Sequence, residues 1–599
     1  MNLQSNTLKT KYIDCDFCVV GGGISGMAAA IAAAREGIKV VLIHERPVLG
    51  GNASSEIRMW ISGAKGENNR ESGIIEEIAL ENMYRNPTKS YAIWDTVLYD
   101  LVIREKNIKL LLNCTCMDAC VSEGEYAYGR DRRIKSVRGY QMTTQCFYEV
   151  RAKYFCDCSG DSILAPLSGA KYRWGREGAS EFKEDTSVQI ADTMTMGMSC
   201  LIQARETQES ISFIPPEWSL HLTEKDFENR KPDIYADTEN FWYLELGGDR
   251  NTIEDTEELR EDLVSLAIGT WDYIKNSGDY NAGNWDLDFI GFLPGKRESR
   301  RLVGEYILTQ KDISGGRVFE DEIAFGGWPL DDHYPSGFYH RGAPNFHVPT
   351  PAPYSIPYRI LYSINVDNLF FAGRNVSATH MAMSSTRVMA TCGLLGQAVG
   401  KAVSIAVKNN FAPHDVYLYK IEELQDCLLK EDCFLPSKVR KVSSVCKAAT
   451  LLGANDNIRN GQDRIHALYG NSGKEPNKVS ESKPIVYTFE ETEIHAVHIT
   501  FDSDLNRKTL NGDWCEREQM TRALRRLDSP RLCMPKTLCK EFELIGKRNG
   551  KSKCLLSVKE NRKRSYHVFV NGVYDELVLI PKSSWGDGKE ISVISFDFS

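Results

Sequence analysis

The stretch that decides the fold reads Gly21-Gly22-Gly23-Ile24-Ser25-Gly26, a G-x-G-x-x-G turn between an apolar strand at residues 17–20 and a helical segment at residues 27–35. A second apolar strand follows at residues 39–44, so the chain opens with a β-α-β unit whose strands pair in parallel. In such a turn the first glycine permits the tight bend, the second lets a pyrophosphate approach the backbone, and the third lets the helix lie close to the sheet. The sequence therefore predicts a dinucleotide site at the start of this helix.

An acidic residue stands where the ribose of a dinucleotide would need it. Glu45 follows the second strand, nineteen residues after Gly26. A carboxylate at this position can accept hydrogen bonds from the ribose hydroxyls. A glycine-rich turn without a ligand would not explain an acid at that spacing. The first unit is therefore predicted to be a Rossmann domain that binds a nucleotide.

Length and composition limit the class of protein. The 599 residues exceed one ordinary domain, and 42% hydrophobic with 26% charged residues are typical of globular proteins. The net charge of −9 argues against nucleic-acid binding, and no apolar stretch reaches the roughly 18 residues of a membrane span. An odd number of scattered cysteines and a polar N-terminus predict a reduced, cytoplasmic protein. A small-molecule substrate is the expected partner, and a homo-oligomer is left open.

Changes in composition divide the chain into five predicted segments. Residues 1–174 form the first part of the nucleotide-binding domain, residues 175–353 an inserted β-rich substrate domain, and residues 354–410 the return to the first domain. A helical segment and linker follow at residues 411–480, and an all-β jelly roll is predicted at residues 481–599. The predicted fold class is therefore α/β with a separate all-β tail.

Two further features favour FAD over NAD as the dinucleotide. The second strand runs into a small-residue loop at residues 47–55, which would let the backbone approach a large cofactor. A buried strand pattern returns at residues 368–372 and ends at Gly373, as a flavin fold needs for contacts to the ribityl chain. A long helix is predicted from Ser384 to about residue 407. Its N-terminus would face the flavin ring, where negative charge develops on reduction.

At these positions the sequence resembles the bacterial FAD-dependent oxidoreductase family, which is built on the glutathione-reductase-like FAD fold. The matching motifs are RPVLGGNASSEIR at 46–58, DCSGD at 157–161, GKRESRR at 295–301, GGWPLD at 326–331, PYSIPYR at 353–359, AGRNVSATH at 372–380 and STRVM at 385–389. The resemblance implies a glutathione-reductase-like Rossmann domain, bound FAD and oxidoreductase activity, and it supplies no substrate. In the wider flavoprotein superfamily the late strand commonly ends in Gly-Asp, whereas Arg374 and Asn375 follow Gly373 here.

The turn, the loop and the resemblance together give the residues expected to contact FAD. They are Gly21, Gly23, Ile24, Ser25, Gly26, Glu45, Arg46, Gly51, Asn52, Ala53, Arg58, Asp161, Gly373, Arg374 and Arg387. No metal site is predicted. Cys15 and Cys18 are spaced like a redox pair but should point to opposite faces of the first strand, so we expect structural cysteines. Whether the flavin is attached covalently is left open.

His380 is the predicted proton-transfer group, because it follows the late strand and precedes the next helix. A histidine with a pKa near neutrality could deprotonate an alcohol while the flavin accepts hydride. A helix cap or a hydrogen bond to the flavin is the alternative role. Arg297 and Arg301 are predicted to bind the substrate or the flavin, although ion pairs with Glu298 or Glu305 would equally explain them.

The predicted function is hydride transfer between a small polar, carbohydrate-related substrate and flavin N5. Trp242, Trp328, His333 and Tyr358 could stack on a sugar face, although most such aromatic residues belong to cores. The tail at residues 481–599 resembles a galactose-binding-like domain of the discoidin type, which would bind glycan or pack between domains. Two alternatives are a flavin-dependent reductase of an activated double bond and a glycan-binding protein whose flavin is structural.

Overall fold

The first domain is built around a sheet whose strands come from distant parts of the chain. The computed structural model describes residues 8–234, 241–470, 476–480, 483–507, 524–586 and 591–599. The first part contains β1 (Thr10–Val20), α1 (Ile24–Arg35), β2 (Val40–Ile43), α2 (Ile74–Arg85), α3 (Tyr91–Ile103), β3 (Ile108–Leu111), β4 (Cys114–Glu123), β5 (Arg132–Gln141), β6 (Cys146–Asp157), α4 (Leu164–Ser168) and β7 (Tyr172–Arg173).

The strand order of this sheet is β3-β2-β1-β6-β5-β4. Strands β1, β2, β3 and β6 run parallel, and β4 and β5 add antiparallel strands beside β6. Strand β2 reads Val-Val-Leu-Ile and is buried throughout, as is typical of a parallel strand covered on both faces. The opening β-α-β unit is therefore confirmed.

The inserted region combines short strands with one long helix. It contains α5 (Ala179–Phe182), β8 (Met198–Ser199), β9 (Ile202–Glu206), β10 (Glu245–Leu246), α6 (Thr256–Asn276), β11 (Trp285–Ile290), β12 (Gly295–Lys296), β13 (Arg301–Leu302), α7 (Gln310–Ser314), β14 (Glu322–Gly326), β15 (Leu330–His333) and β16 (Asn345–Val348). The 21-residue helix α6 accompanies the expected strands. Its buried Leu259, Leu263, Leu266 and Trp271 recur at helical spacing and belong to the region's own hydrophobic core.

The chain then returns to the first domain and completes its sheet. This part contains β17 (Tyr354–Pro357), β18 (Leu369–Phe371), α8 (His380–Thr386), α9 (Met389–Asn409), α10 (Pro413–Lys430), α11 (Ser444–Ala448) and β19 (Thr450–Leu452). Strand β18 pairs in parallel with β6, from Leu369 opposite Phe155 to Phe371 opposite Asp157. Strand β5 pairs with β6 only as far as Arg151, so β18 occupies the edge that β5 leaves.

The prediction of one long helix from Ser384 is wrong, because the structure has two helices here. Helix α8 ends at Thr386, and Val388 has extended backbone (ψ of 139°) before α9 begins. Within the described residues, α9 is the one helix that is long and apolar enough to cross a membrane, and nearly all of it is buried inside the protein. It packs on α1 so closely that a Cβ on Gly396 would lie 2.0 Å from the backbone oxygen of Ser25.

The C-terminal residues form an antiparallel all-β domain, as predicted. It contains β20 (Asn477–Val479), β21 (Ile485–Phe501), β23 (Cys539–Arg548), β24 (Lys551–Val558), β25 (Ser565–Ser584) and β26 (Ile591–Phe598). The short strand β22 (Leu524–Arg525) instead pairs in parallel with β9 of the inserted region. The main sheet has the order β20-β26-β21-β25-β23-β24. Leu80 and Met83 of α2 join the core of this domain, so it packs directly on the first domain. The predicted linker lies partly outside the described residues, at 471–475.

Candidate flavin and substrate site

Four parallel strands end at the same edge of the first sheet. Strand β1 leads into Gly21, β2 leads towards Glu45, β6 leads towards Asp161, and β18 leads towards Gly373. In open α/β sheets, ligands bind beyond the carboxyl ends of the strands. A cavity of about 680 Å³ lies at this edge, and its size is within the usual range for small-molecule sites.

Most of the residues predicted from the sequence line this cavity. They are Gly21, Gly23, Ile24, Ser25, Glu45, Arg46, Gly51, Asn52, Asp161, Arg297, Gly373, Arg374 and Arg387. Two of the aromatic candidates, Trp242 and Trp328, also line it, as does His333. Five predicted residues lie outside the lining, namely Gly26, Ala53, Arg58, Arg301 and His380. Tyr358 is buried elsewhere and donates a hydrogen bond to the backbone oxygen of Pro413 (2.8 Å).

The glycine turn has the shape that a pyrophosphate requires. Gly21 has a φ of +109°, and a Cβ there would lie 2.2 Å from the backbone oxygen of Cys158. A Cβ on Gly26 would lie 1.9 Å from the oxygen of Gly21, so this glycine lets α1 pack closely without facing the cavity. A Cβ on Gly23 would meet only the Cα of Gly51, at 3.9 Å, which leaves room for a ligand. No side chain of the described residues caps the N-terminus of α1, so its N–H groups are available to phosphate oxygens.

Two predicted FAD contacts instead hold the protein together behind the cavity. The backbone oxygen of Ala53 accepts a hydrogen bond from Nε1 of Trp94 (2.7 Å). The guanidinium of Arg58 lies 3.9 Å from the ring centroid of Phe289 and donates to Oε1 of Gln203 (2.7 Å). Arg58 therefore joins the first domain to the inserted region, because Gln203 and Phe289 belong to that region.

Asp161 organises the positive charge beside the glycine turn. Its carboxylate accepts from Nζ of Lys296 (2.9 Å), Nη2 of Arg374 (2.8 Å) and Oγ of Ser299 (2.7 Å). Burial would raise the pKa of Asp161, but the charges of Arg374 and Lys296 outweigh it and lower the pKa to about 2. Arg374, which follows Gly373 at the end of β18, thus pairs with a carboxylate from another strand end.

The charge of the cavity suits a cofactor with a pyrophosphate. Six arginine and lysine side chains and three carboxylates line it, although the whole chain is acidic. Nε of Arg374 is buried and makes no hydrogen bond to any residue that the structure describes. A buried N–H without a partner is costly, and an anionic ligand would remove that cost. The glycine cradle, the helix N-terminus and this charge together fit FAD.

A β-hairpin, β15 and β16, provides the polar groups of the rest of the cavity. Its register places Asp331 opposite His347 and His333 opposite Asn345. Because alternate residues of a strand share a face, these four side chains lie together. Asp331 Oδ1 accepts from Nδ2 of Asn345 (2.6 Å) and lies 2.9 Å from Nε2 of His347. Its Oδ2 accepts from Nη2 of Arg387 (3.2 Å).

The charges of this hairpin stabilise one another. Burial would raise the pKa of Asp331, but the neighbouring His333, His347 and Arg387 lower it well below its usual value. His333 Nδ1 lies 2.7 Å from Oε2 of Glu245. Burial would lower the pKa of His333, yet the charges of Glu245 and Asp331 and a hydrogen bond to Asp331 together outweigh this effect and raise the pKa. His333 therefore favours its protonated form, and Asp331 and Glu245 are carboxylates.

His347 has the arrangement of a proton acceptor. Its side chain lines the cavity and is 42% exposed. Nε2 of His347 lies 2.9 Å from Oδ1 of Asp331 and 3.0 Å from Nδ2 of Asn345. In the tautomer in which Nε2 donates to Asp331, Nδ1 is the acceptor. Nδ1 makes no hydrogen bond to the described residues. The sequence interpretation did not single out His347; the available signal was the pair Asp331-x-His333 and Asn345-x-His347 on two consecutive short strands.

The placement of His380 and Arg301 differs from the prediction. His380 is buried outside the cavity lining, with Nδ1 2.9 Å from Glu298 Oε2 and Nε2 2.9 Å from Asp332 Oδ1. Burial would lower the pKa of His380, but these two carboxylates raise it to about 10, so the ring is a cation at neutral pH and not a base. Arg301 is buried as well and pairs with Glu298 and Glu177. Both side chains belong to one buried ionic network.

Comparison with known protein families agrees with the geometry of the cavity. The model for the FAD dependent oxidoreductase family matches residues 16–428, which is more than half of the chain. This range contains the complete cavity lining. A search of curated proteins finds no match.

Three solved structures are among those that a structural search matches to this chain. THI4 of Thermovibrio ammonificans is 19% identical, with 30% of this chain and 76% of that chain covered and a TM-score of 0.21. A geranylgeranyl bacteriochlorophyll reductase-like protein of Thermoplasma acidophilum is 12% identical, with 70% and 86% covered and a TM-score of 0.31. The family 32 carbohydrate-binding module of Streptococcus pneumoniae EndoD is 12% identical, with 26% and 99% covered and a TM-score of 0.18.

Proposed function

Because the chain belongs to the FAD dependent oxidoreductase family and is an FAD-dependent enzyme, we propose that it oxidises a small polar, carbohydrate-related substrate at a carbon that bears a hydroxyl. The cavity continues from the glycine turn to the hairpin, where Trp242 and Trp328 line it beside His333 and His347. Aromatic walls with a few convergent polar groups suit a polar substrate with an apolar ring face.

The residues of the strand ends would hold the cofactor. The backbone at Gly23 and the N-terminus of α1 would bind the pyrophosphate, Glu45 would accept from a ribose, and Arg374 would add positive charge. When bound, FAD supplies the acceptor of the hydride. The protein then has to bind the substrate, orient its hydroxyl and accept one proton.

The observation that carries the proposal is the pair of His347 and Asp331. Oxidation of an alcohol carbon to a carbonyl releases a hydride from carbon and a proton from oxygen. Nδ1 of His347 accepts that proton, and Asp331 stabilises the imidazolium through Nε2 (2.9 Å). Arg387 and Asn345 hold Asp331 in place from the other sides.

The test is anaerobic stopped-flow mixing of the oxidised holoenzyme with sugars, polyols and sugar acids. We expect a substrate alone to bleach the flavin absorbance. His347→Gln should slow the bleaching about 100- to 10,000-fold, the range for loss of a general base, with unchanged flavin content. His340→Gln is the matched control, because His340 stacks on Tyr334 outside the cavity lining (3.8 Å between centroids).

Two outcomes would count against this proposal. Equal bleaching rates for His347→Gln and the parent protein would remove His347 from the reaction. If no hydroxyl compound bleaches the flavin, but an activated alkene reoxidises the reduced holoenzyme, the enzyme is a reductase of double bonds instead.

A further inference from the structure

We propose that the substrate is a carboxylate, a hydroxy acid such as a sugar acid, whose anionic group binds Arg297 and Arg387 beside the proton acceptor His347. The position of the hydroxyl rests on the function proposed above. The charge of the substrate is a separate inference, and it follows from how these two guanidinium groups are held.

Both guanidinium groups keep hydrogen-bond donors without an acceptor among the residues that the structure describes. Arg297 is buried, and its Nη2 donates to the backbone oxygen of Trp242 (2.9 Å). Its Nη1 lies 3.4 Å from Glu245 but makes no hydrogen bond within the described part of the chain. Arg387 uses Nη2 for Asp331, whereas its buried Nε has no partner among the described residues. Buried N–H donors without an acceptor destabilise the protein unless a ligand supplies the acceptor.

The balance of charge around these groups also calls for an anion. Arg297, Arg387 and protonated His333 face two carboxylates, Glu245 and Asp331. This leaves an excess of one positive charge, which one carboxylate would neutralise. Glu245 does not line the cavity. Burial lowers the pKa of Arg297; the charge of Glu245 opposes this effect, and the nearby charge of Arg387 adds to it. An anion between the two would relieve that repulsion.

The cofactor's own phosphates do not account for this charge. The glycine turn would bind the pyrophosphate, beside the cluster of Arg374, Asp161 and Lys296. Arg297 is held by Trp242 and Glu245 of the inserted region, and Arg387 by the hairpin residue Asp331. A planar guanidinium presents two donors that match the two oxygens of a carboxylate, so a pair of arginines is well suited to this group.

The test is anaerobic isothermal titration calorimetry of the holoenzyme at constant ionic strength. Glycolate, lactate, gluconate and galacturonate are each compared with their neutral counterparts, ethylene glycol, 1,2-propanediol, glucitol and galactose. Glucose 6-phosphate tests for a phosphate instead of a carboxylate. The variants are Arg297→Met, the conservative Arg297→Lys, and Arg205→Met as a control, because Arg205 is an exposed residue of β9 that pairs with Asp286. Flavin content is measured for every variant.

We expect at least one carboxylate to bind tenfold or more tightly than its neutral counterpart. Arg297→Met should weaken that binding about 10- to 100-fold, the usual effect of losing a hydrogen bond to a charged group. Arg297→Lys should weaken it less, and Arg205→Met should not change it. If Arg297→Met proves unstable, Arg297→Lys is the deciding variant. A lysine cannot form two parallel hydrogen bonds to a carboxylate, so the affinity for the carboxylate should fall while the affinity for the neutral compound stays unchanged.

Several results would overturn the inference. They are equal binding of acids and neutral compounds, no binding of any carboxylate by flavin-loaded protein, unchanged binding in both Arg297 variants, or binding of glucose 6-phosphate alone. Bleaching of the flavin by neutral sugars but not by acids would leave the proposed function standing and refute the carboxylate.

Discussion

Gly21 and Gly23 stand two residues apart in one turn, yet a side chain would act differently at each. At Gly21 the positive φ of +109° and the approach of the Cys158 oxygen to 2.2 Å from a Cβ mean that any substitution strains the backbone. At Gly23 the φ is −69°, and the space beside it is bounded only by Gly51. The first glycine shapes the protein, and the second keeps space for FAD.

We therefore expect Gly23→Val to weaken FAD binding without loss of fold. A valine would fill the space of the pyrophosphate, and an overpacking cost of about 1–3 kcal/mol corresponds to a roughly 5- to 150-fold higher dissociation constant. The thermal midpoint of the apoprotein should stay unchanged. Gly21→Val should instead lower the stability of the apoprotein itself. Flavin titration and thermal melts of the apoproteins measure both effects, and equal destabilisation by the two variants would contradict this division of roles.

At the scale of elements, one buried ionic network joins α8, β13 and β15. His380 begins α8 and contacts Glu298, which precedes β13, and Asp332 of β15. Arg301 of β13 reaches Glu298 and Glu177. The hairpin that carries Asp331 and His347 is thereby fixed to the first domain through the residue next to Asp331. His380 thus contacts the hairpin and lies outside the cavity lining.

This network predicts a loss of stability at alkaline pH. The pKa of His380 is raised from 6.5 to about 10, so its contribution is complete below pH 6.5 and is lost as the pH rises through about 10. The stability advantage of the parent protein over His380→Gln should therefore shrink, by on the order of a few kcal/mol, between these limits. Thermal midpoints of both proteins, measured across this pH range, show whether the stability difference shrinks or grows with pH. An advantage that grows with pH would show that the imidazole is not held as a cation.

How much the sequence could predict depended on how local each feature is. The turn at residues 21–26 and Glu45 belong to one β-α-β unit, so spacing alone located them. His347 acquires its role only when β15 pairs with β16, a register that the sequence does not state. His380 looked like a base because its neighbours in the chain are cofactor residues. The two carboxylates that raise its pKa come from residues 298 and 332, which only the folded chain brings near.

At the scale of the whole molecule, the C-terminal half holds one wall of the cavity in place. Met59, Trp60 and Ser62 line the cavity, and the segment that continues from them reaches α2. Arg464 donates to the backbone oxygen of Asn68 (2.7 Å) and to Oγ of Ser72 (2.9 Å) in this segment. Arg507 of the all-β domain pairs with Glu76 of α2 (2.7 Å). The C-terminal half of the chain thus contacts the segment that continues from this wall of the cavity.

We expect Arg464→Met to loosen this wall. The variant leaves buried acceptors without a donor, at a cost of about 1–3 kcal/mol each. Exchange of the backbone amide hydrogens should become faster at residues 57–72. The affinity for FAD should fall several-fold, because part of this segment lines the cavity. Arg459→Met is the matched control, because Arg459 donates to Cys446 and Ala449 within its own part of the chain (2.6 and 2.7 Å). Unchanged amide hydrogen exchange at residues 57–72 in Arg464→Met would show that the contacts of Arg464 do not hold this wall.

The pairing of β18 with β6 has a consequence for how the protein is made. The ribosome must synthesise residues 158–368 after β6 before it reaches β18, which takes roughly 10 to 40 s at usual translation rates. During that time the nascent chain carries an open sheet edge next to the glycine turn. Gly373 and Arg374 emerge later still, so the growing polypeptide cannot enclose FAD from both sides until about two thirds of it has been translated.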